Sequence, residues 1–171
     1  MIAATVLAAI AATPAANPGV TILAQRATKL LHSKPVYRKA VLLEAEGSPA
    51  KPGHPVFSAD KITTWRFVFD NTQSHNKYKS VSISAIRSLL GKPKGSTTPF
   101  LQDKPINPIP KMTFTRAVQL LDGAGYTKGF YAVSLRKPDY PGVKDVEYIF
   151  VMVGGKVVAV DAVTGDVKKI S

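Results

Sequence analysis

A chain of 171 residues, 45% hydrophobic and 20% charged, is one ordinary domain or two small ones. It is long enough to bury a core and too apolar to be disordered. Lys and Arg number 23 against 11 Asp and Glu, for a net charge of +12. That surplus favours anionic partners such as nucleic acid or acidic polysaccharide, and equally fits a well-solvated basic surface. The absence of cysteine excludes disulfides, thiolate metal sites and a cysteine nucleophile.

Ile2 to Ala12 is an Ala-rich apolar run ending at Thr13-Pro14, too short to span a bilayer. It resembles the core of a secretory signal, with small residues near Ala15 and Ala16, but no Lys or Arg precedes it. Two readings stay open: an export signal, which would make the protein secreted or extracytoplasmic, and an N-terminal helix packed on the body. No stable membrane insertion is expected.

From Val20 the apolar spacing is helical: Ile22, Leu23, Ala27, Leu30 and Leu31 recur at three and four residues. Lys34-Pro35 stops that helix, because a residue before proline is pushed out of the α region. Val36 to Ala45 reads as a strand, followed by a Gly/Pro/Ser loop from Gly47 to Pro55. Thr63 to Phe69 is a second strand with Trp65, Phe67 and Phe69 on one face. Tyr78 to Ala85 is a third, Val81 and Ile83 alternating with Ser80, Ser82 and Ser84. Ala85 to Leu90 is expected as a short helix closed by Gly91. Lys92 to Pro110 carries Pro93, Pro99, Pro105, Pro108 and Pro110 and reads as an extended linker. A second helix starts at Thr113 and ends at Asp122-Gly-Ala-Gly125, and Phe130 to Leu135 is a strand. Glu147 to Val153 and Lys156 to Asp161, separated by Gly154-Gly155, predict a hairpin, because glycine reaches the positive φ of tight turns.

The two halves match in order. Arg26 to Leu31 lies over Arg116 to Leu121, Ala40 to Leu43 over Ala132 to Leu135, and Trp65 to Phe69 over Tyr148 to Met152. Val81 to Ala85 lies over Ala159 to Ala162 with a small slip. Four elements in one order, twice, predict an internal repeat. The expected fold class is α+β: two repeated helix-plus-three-strand units with antiparallel sheet, helices packed on one face. Whether the units share one sheet or keep two stays open. The expected domain order is an N-terminal segment over 1–19, a first repeat over 20–91, a linker over 92–111 and a second repeat over 112–171.

The second half resembles a PepSY domain. The resemblance is carried by the helix Thr113–Leu121 with Gly125, the strand Phe130–Leu135, the Gly154-Gly155 hairpin and the ending Asp161-Ala162-Val163-Thr164-Gly165-Asp166-Val167. In the first half Ser84-Ala85-Ile86-Arg87 stands where Asp161-Ala162-Val163-Thr164 stands in the second. A tandem of such units resembles, in layout only, the beta-lactamase inhibitory proteins. The resemblance implies a non-catalytic, extracytoplasmic binding or inhibitory module acting on a protein partner, a peptidase being the kind it suggests. It brings no catalytic residues.

Residue chemistry points the same way. His32, His54 and His75 stand apart from one another and from any carboxylate at ligand spacing, so no metal and no cofactor are expected. No nucleophile elbow or phosphate-binding glycine loop is present. Glu44 and Glu46 share one strand face, as a hydrolase pair or as a solvated strand end, the latter favoured. Asp161 and Asp166 are read as holding the Thr164-Gly165 turn. Trp65, Arg66, Tyr78 and Lys79 form either a base-stacking surface or a core tryptophan beside solvated charges. The contact surface is expected on the helix-free face of the sheet, or on the loops Asn71–Lys77 and Pro138–Lys144, with Lys77, Tyr78, Tyr140 and Lys144 as candidate binding residues.

Overall fold

The computed structural model describes residues 19–101 and 103–171; the Ala-rich segment, with both its readings, lies outside them. Helix α1 spans Val20–His32 and buries the stripe Val20, Leu23, Ala24, Ala27 and Leu31. Lys29 and His32 occupy its last turn, where the helix dipole favours positive charge, and a 3-10 turn at Pro35–Tyr37 follows. Strands β1 (Val41–Pro49), β2 (Ile62–Asp70) and β3 (Ser80–Ile86) come next. Three short strands follow: β4 (Leu89–Leu90), β5 (Lys94–Ser96) and β6 (Asp103–Lys104). Helix α2 (Phe114–Gly123) is capped by Thr113, whose hydroxyl accepts from the Arg116 N–H at 3.2 Å. The chain closes with β7 (Phe130–Pro138), β8 (Glu147–Met152), β9 (Val157–Asp161) and β10 (Val167–Lys169). Gly154 and Gly155 take φ of +88° and +77° in the hairpin between β8 and β9.

The expected fold class is corrected. Among the described residues the chain is mostly one ten-stranded antiparallel sheet with two α-helices, ordered β10-β9-β8-β7-β1-β2-β3-β4, with β5 on β3 and β6 on β7. It does not divide into two helix-plus-three-strand units. The seam is the pairing of β1 with β7, Glu44 opposite Arg136 and Gly47 opposite Val133. A three-stranded unit standing alone would leave such a lead strand as an unpaired edge. The core is likewise continuous across the seam. Phe114 of α2 packs edge-on against Trp65 of β2 at 5.5 Å and stacks with Tyr148 and Phe150 of β8 at 5.8 and 6.0 Å.

Local differences have the same origin. Ala85 to Leu90 is not a helix but a hairpin: Ile86 pairs with Leu89 across a turn in which Arg87 has φ of +55°. The proline-rich stretch from 92 to 111 supplies β5 and β6 and buries Ile106, whose N–H donates to the Leu42 carbonyl at 2.7 Å.

Candidate functional site

Side chains directly opposite one another in an antiparallel pair share a face, so the strand register builds the face away from both helices row by row. A charged row runs Val68, Glu44, Arg136, Glu147, Asp161 across β2, β1, β7, β8 and β9. A mixed row runs Arg66, Glu46, Ser134, Ile149, Ala159 and reaches Lys168 on β10. The third row is uncharged: Leu89, Ile86, Thr64 and Ser48 on one side, Ala132, Val151 and Val157 on the other. Ile86, Leu89 and Val151 are exposed to 64, 77 and 42%.

Part of this face is covered. Chain leaving β5, beside β3, must reach β6, beside β7, and it crosses the helix-free side to do so. The Ser80 hydroxyl donates to the Thr98 carbonyl at 2.7 Å, and Pro99 and Phe100 share a cavity of about 220 Å³ with Val68 and Arg66. This strap accounts for the burial of Val68 on a face that is otherwise open. What stays uncovered is a groove of about 570 Å³ centred on β1 and β7, lined by Glu44, Glu46, Arg66, Arg136, Ile149 and Val151.

The charged row is short of partners. Arg136 lies 3.6 Å from Glu44 and 3.5 Å from Asp103, so one guanidinium serves two buried carboxylates. Both Asp103 oxygens, Arg136 Nε and Glu147 Oε2 are buried without a hydrogen-bond partner among the described residues. Burial pushes Glu44 from 4.5 up to about 7, and Glu46 and Asp103 add to the rise while Arg136 opposes it. Burial also raises Asp103, against Arg136. Glu147 bonds Lys168, which raises the pKa of that ammonium. At the solvent side Arg66 meets Glu46 at 2.6 Å with both side chains half exposed.

Sequence-selected residues fall in several places. Trp65 is core, 2% exposed, and Arg66 faces the groove, so neither stacking partner is on an open basic surface. Glu44 is buried rather than a solvated strand end, while Glu46 is exposed. Asp161 accepts from the N–H groups of Val163 and Thr164 at 2.7 and 2.9 Å, and Asp166 accepts from the Thr164 hydroxyl at 2.8 Å, as turn-holding groups do. His32 Nε2 lies 2.9 Å from the Ala40 carbonyl. Tyr140 and Lys144 lie between β7 and β8, with Tyr140 close enough to Lys168 to favour its charge. Lys77 and Tyr78 lie between β2 and β3, the ammonium 5.0 Å from the ring centroid. The two loops leave the same end of the sheet, on either side of β1. Asp103 and Arg136 escaped sequence reading.

Lys77 belongs to a second, basic surface. Asn71 and Asn76 both donate to the Val36 carbonyl, at 3.2 and 2.6 Å, tying the β2–β3 loop to the 3-10 turn. The rings of Tyr37 and Tyr78 meet at 5.8 Å. Around them stand Lys34, Arg38, Lys39, Lys77 and Lys79, none ion-paired among the described residues.

No family model, curated protein or solved structure matches this chain. Among the described residues no helix is long and apolar enough to cross a membrane, and no three His, Asp or Glu side chains are grouped to hold a metal ion.

Proposed function

We propose that this chain is a non-catalytic binding module that takes a protein partner on its helix-free face. The observation that carries the reading is the uncovered groove of about 570 Å³, where the half-exposed Arg66–Glu46 pair adjoins Ile149 and Val151. An apolar strip bordered by arginine and paired charge is the composition of protein–protein contact surfaces. An inhibitory role toward a peptidase is what the PepSY resemblance adds. The test is affinity capture on the immobilised chain, with a low-salt and then a high-salt wash, beside a Val151→Arg variant whose circular dichroism is unchanged. The expected result is one defined protein that survives high salt on the native chain and is lost with the variant. Equal retention by both chains would remove the helix-free face as the contact.

A second reading is favoured by the basic surface around Tyr37 and Tyr78: a module for an anionic polymer, nucleic acid or acidic polysaccharide. Tyr37 is 8% exposed and Lys77 lies over Tyr78, so contact would be through charge rather than stacked bases. Such binding weakens steeply with salt as counterions are released. Polyanion retained at low salt and lost at high salt would replace the first reading with this one.

A further inference from the structure

A separate groove of about 660 Å³ lies at the end of the sheet where the proline-rich stretch passes from β6 toward α2. Its walls are apolar, formed by Ile109, Met112, Val146, Ala162 and Val163. Backbone and side-chain bonds fix those walls in place. The Ala162 N–H donates to the Val146 carbonyl at 2.8 Å, and the buried Tyr148 hydroxyl donates to the Met112 carbonyl at 2.9 Å. Sites for small ligands fall in this size range, about 300–1,000 Å³, with apolar lining and a few placed polar groups.

The polar groups here are unbalanced. Lys111, Arg116 and Lys137 line the groove against one acid, Asp145, and none of the four makes an ion pair among the described residues. Of the charges near these in the chain, Lys104 and Asp139 neutralise each other at 2.8 Å, Arg136 is paired with Glu44 and Asp103, and Glu147 with Lys168. The first turn of α2, which carries Arg116, holds no acidic residue. In the groove of the helix-free face the cations, Arg66 and Arg136, are paired with carboxylates. An apolar trough bordered by three unpaired cations suits a ligand with an apolar body and a negative head.

We propose that this groove binds an amphipathic anion, an alkyl chain or ring system bearing a single carboxylate or phosphate. The apolar body lies against Met112, Val146 and Ala162, and the head lies among Lys111, Arg116 and Lys137. The site is distinct from the helix-free face and does not depend on the function proposed for it.

The test is isothermal titration of the full chain with decanoate and with decyl phosphate, both below their micelle concentrations, and with decyl maltoside and acetate as neutral and head-only controls. One-to-one binding of decanoate, decyl phosphate or both is expected, the stronger of the two identifying the head. Decyl maltoside should bind at least about tenfold more weakly and acetate not measurably, since neither supplies both body and charge. Arg116→Glu with Lys137→Glu should weaken the anion at least about tenfold, because an attraction becomes a repulsion at short range; Arg116→Glu alone serves if the pair does not fold. Equal affinity for decanoate and decyl maltoside, no binding of either anion, or unchanged affinity in a folded variant would each overturn the proposal.

Discussion

Replacing Glu44 by Gln should make the protein more stable at pH 8 while changing it far less at pH 5. Glu44 is 4% exposed, and burial, with Glu46 and Asp103 beside it, lifts its pKa from 4.5 to about 7. The fold therefore holds this proton more tightly than the unfolded chain does. The stability that Glu44 contributes is complete below pH 4.5 and is lost as pH rises through 7. At 1.36 kcal/mol for each pKa unit, the loss by pH 8 is about 3 kcal/mol. Glutamine has the same shape, still accepts from Arg136 and has no proton to lose. The difference between variant and native chain should thus open from under about 1 kcal/mol at pH 5 to as much as about 3 kcal/mol at pH 8. Asp103 is raised as well, but it is present in both proteins and largely cancels. Urea unfolding followed through Trp65, the only tryptophan and 2% exposed, gives both stabilities. With a slope of about 2 kcal/mol per molar urea, the midpoints should separate by more than about 1 M at pH 8. Parallel stability curves from pH 5 to 8 would show that Arg136 neutralises Glu44 in the fold and that the burial argument is wrong.

Gly47→Ala should destabilise the protein by about 1–3 kcal/mol, because an added Cβ would lie 2.7 Å from the Trp65 ring and 2.8 Å from Ile62 Cγ2. Thermal unfolding should fall several degrees, and Trp65→Phe in the same chain should cost less than the two changes summed; strict additivity would mean the ring is not what glycine makes room for. Asp161→Ala removes the acceptor of the Val163 and Thr164 N–H groups. It should cost about 1 kcal/mol and speed hydrogen exchange at those two amides; protection equal to the native chain would mean that the turn holds without its carboxylate.

Much of the architecture was legible where a short-range cause dominates. Helical spacing and Lys34-Pro35 locate α1, alternation places Trp65, Phe67 and Phe69 on one face, and Gly154-Gly155 marks a hairpin. What was not legible depends on partners distant in sequence. Strand spacing puts Glu44 and Glu46 on one face, but the difference between a buried and an exposed carboxylate is made by Arg136, Asp103 and the strap, more than 50 residues away. The irregularity between Leu42 and Glu44 is also invisible to a strict period of two: it turns Leu42 toward the core side with Ala45 while Glu44 stays with Arg136. The repeat misled for a related reason. Matching strands say what each half resembles, not whether their lead strands meet, and here β1 and β7 pair into one sheet.

Net charge misled in a more useful way. A value of +12 invites an anionic partner anywhere on the surface, but six of the 11 acids, Glu44, Glu46, Asp70, Asp103, Glu147 and Asp161, lie on the helix-free face by register. Residues 71–102 contain no acid at all, and they carry Lys77 and Lys79 beside the Tyr37 turn. Ion pairs hold only Lys61, Arg66, Lys104, Arg136 and Lys168 among the described residues, three of these five being spent on the acids of that face. The surplus is therefore carried elsewhere. The two modes proposed above, a protein on the helix-free face and a polyanion on the basic surface, therefore call on different parts of the molecule. If the proposals hold, reversing charge at Lys77 and Lys79 should weaken polyanion retention without touching Val151, and Val151→Arg should abolish protein capture while leaving the basic surface whole.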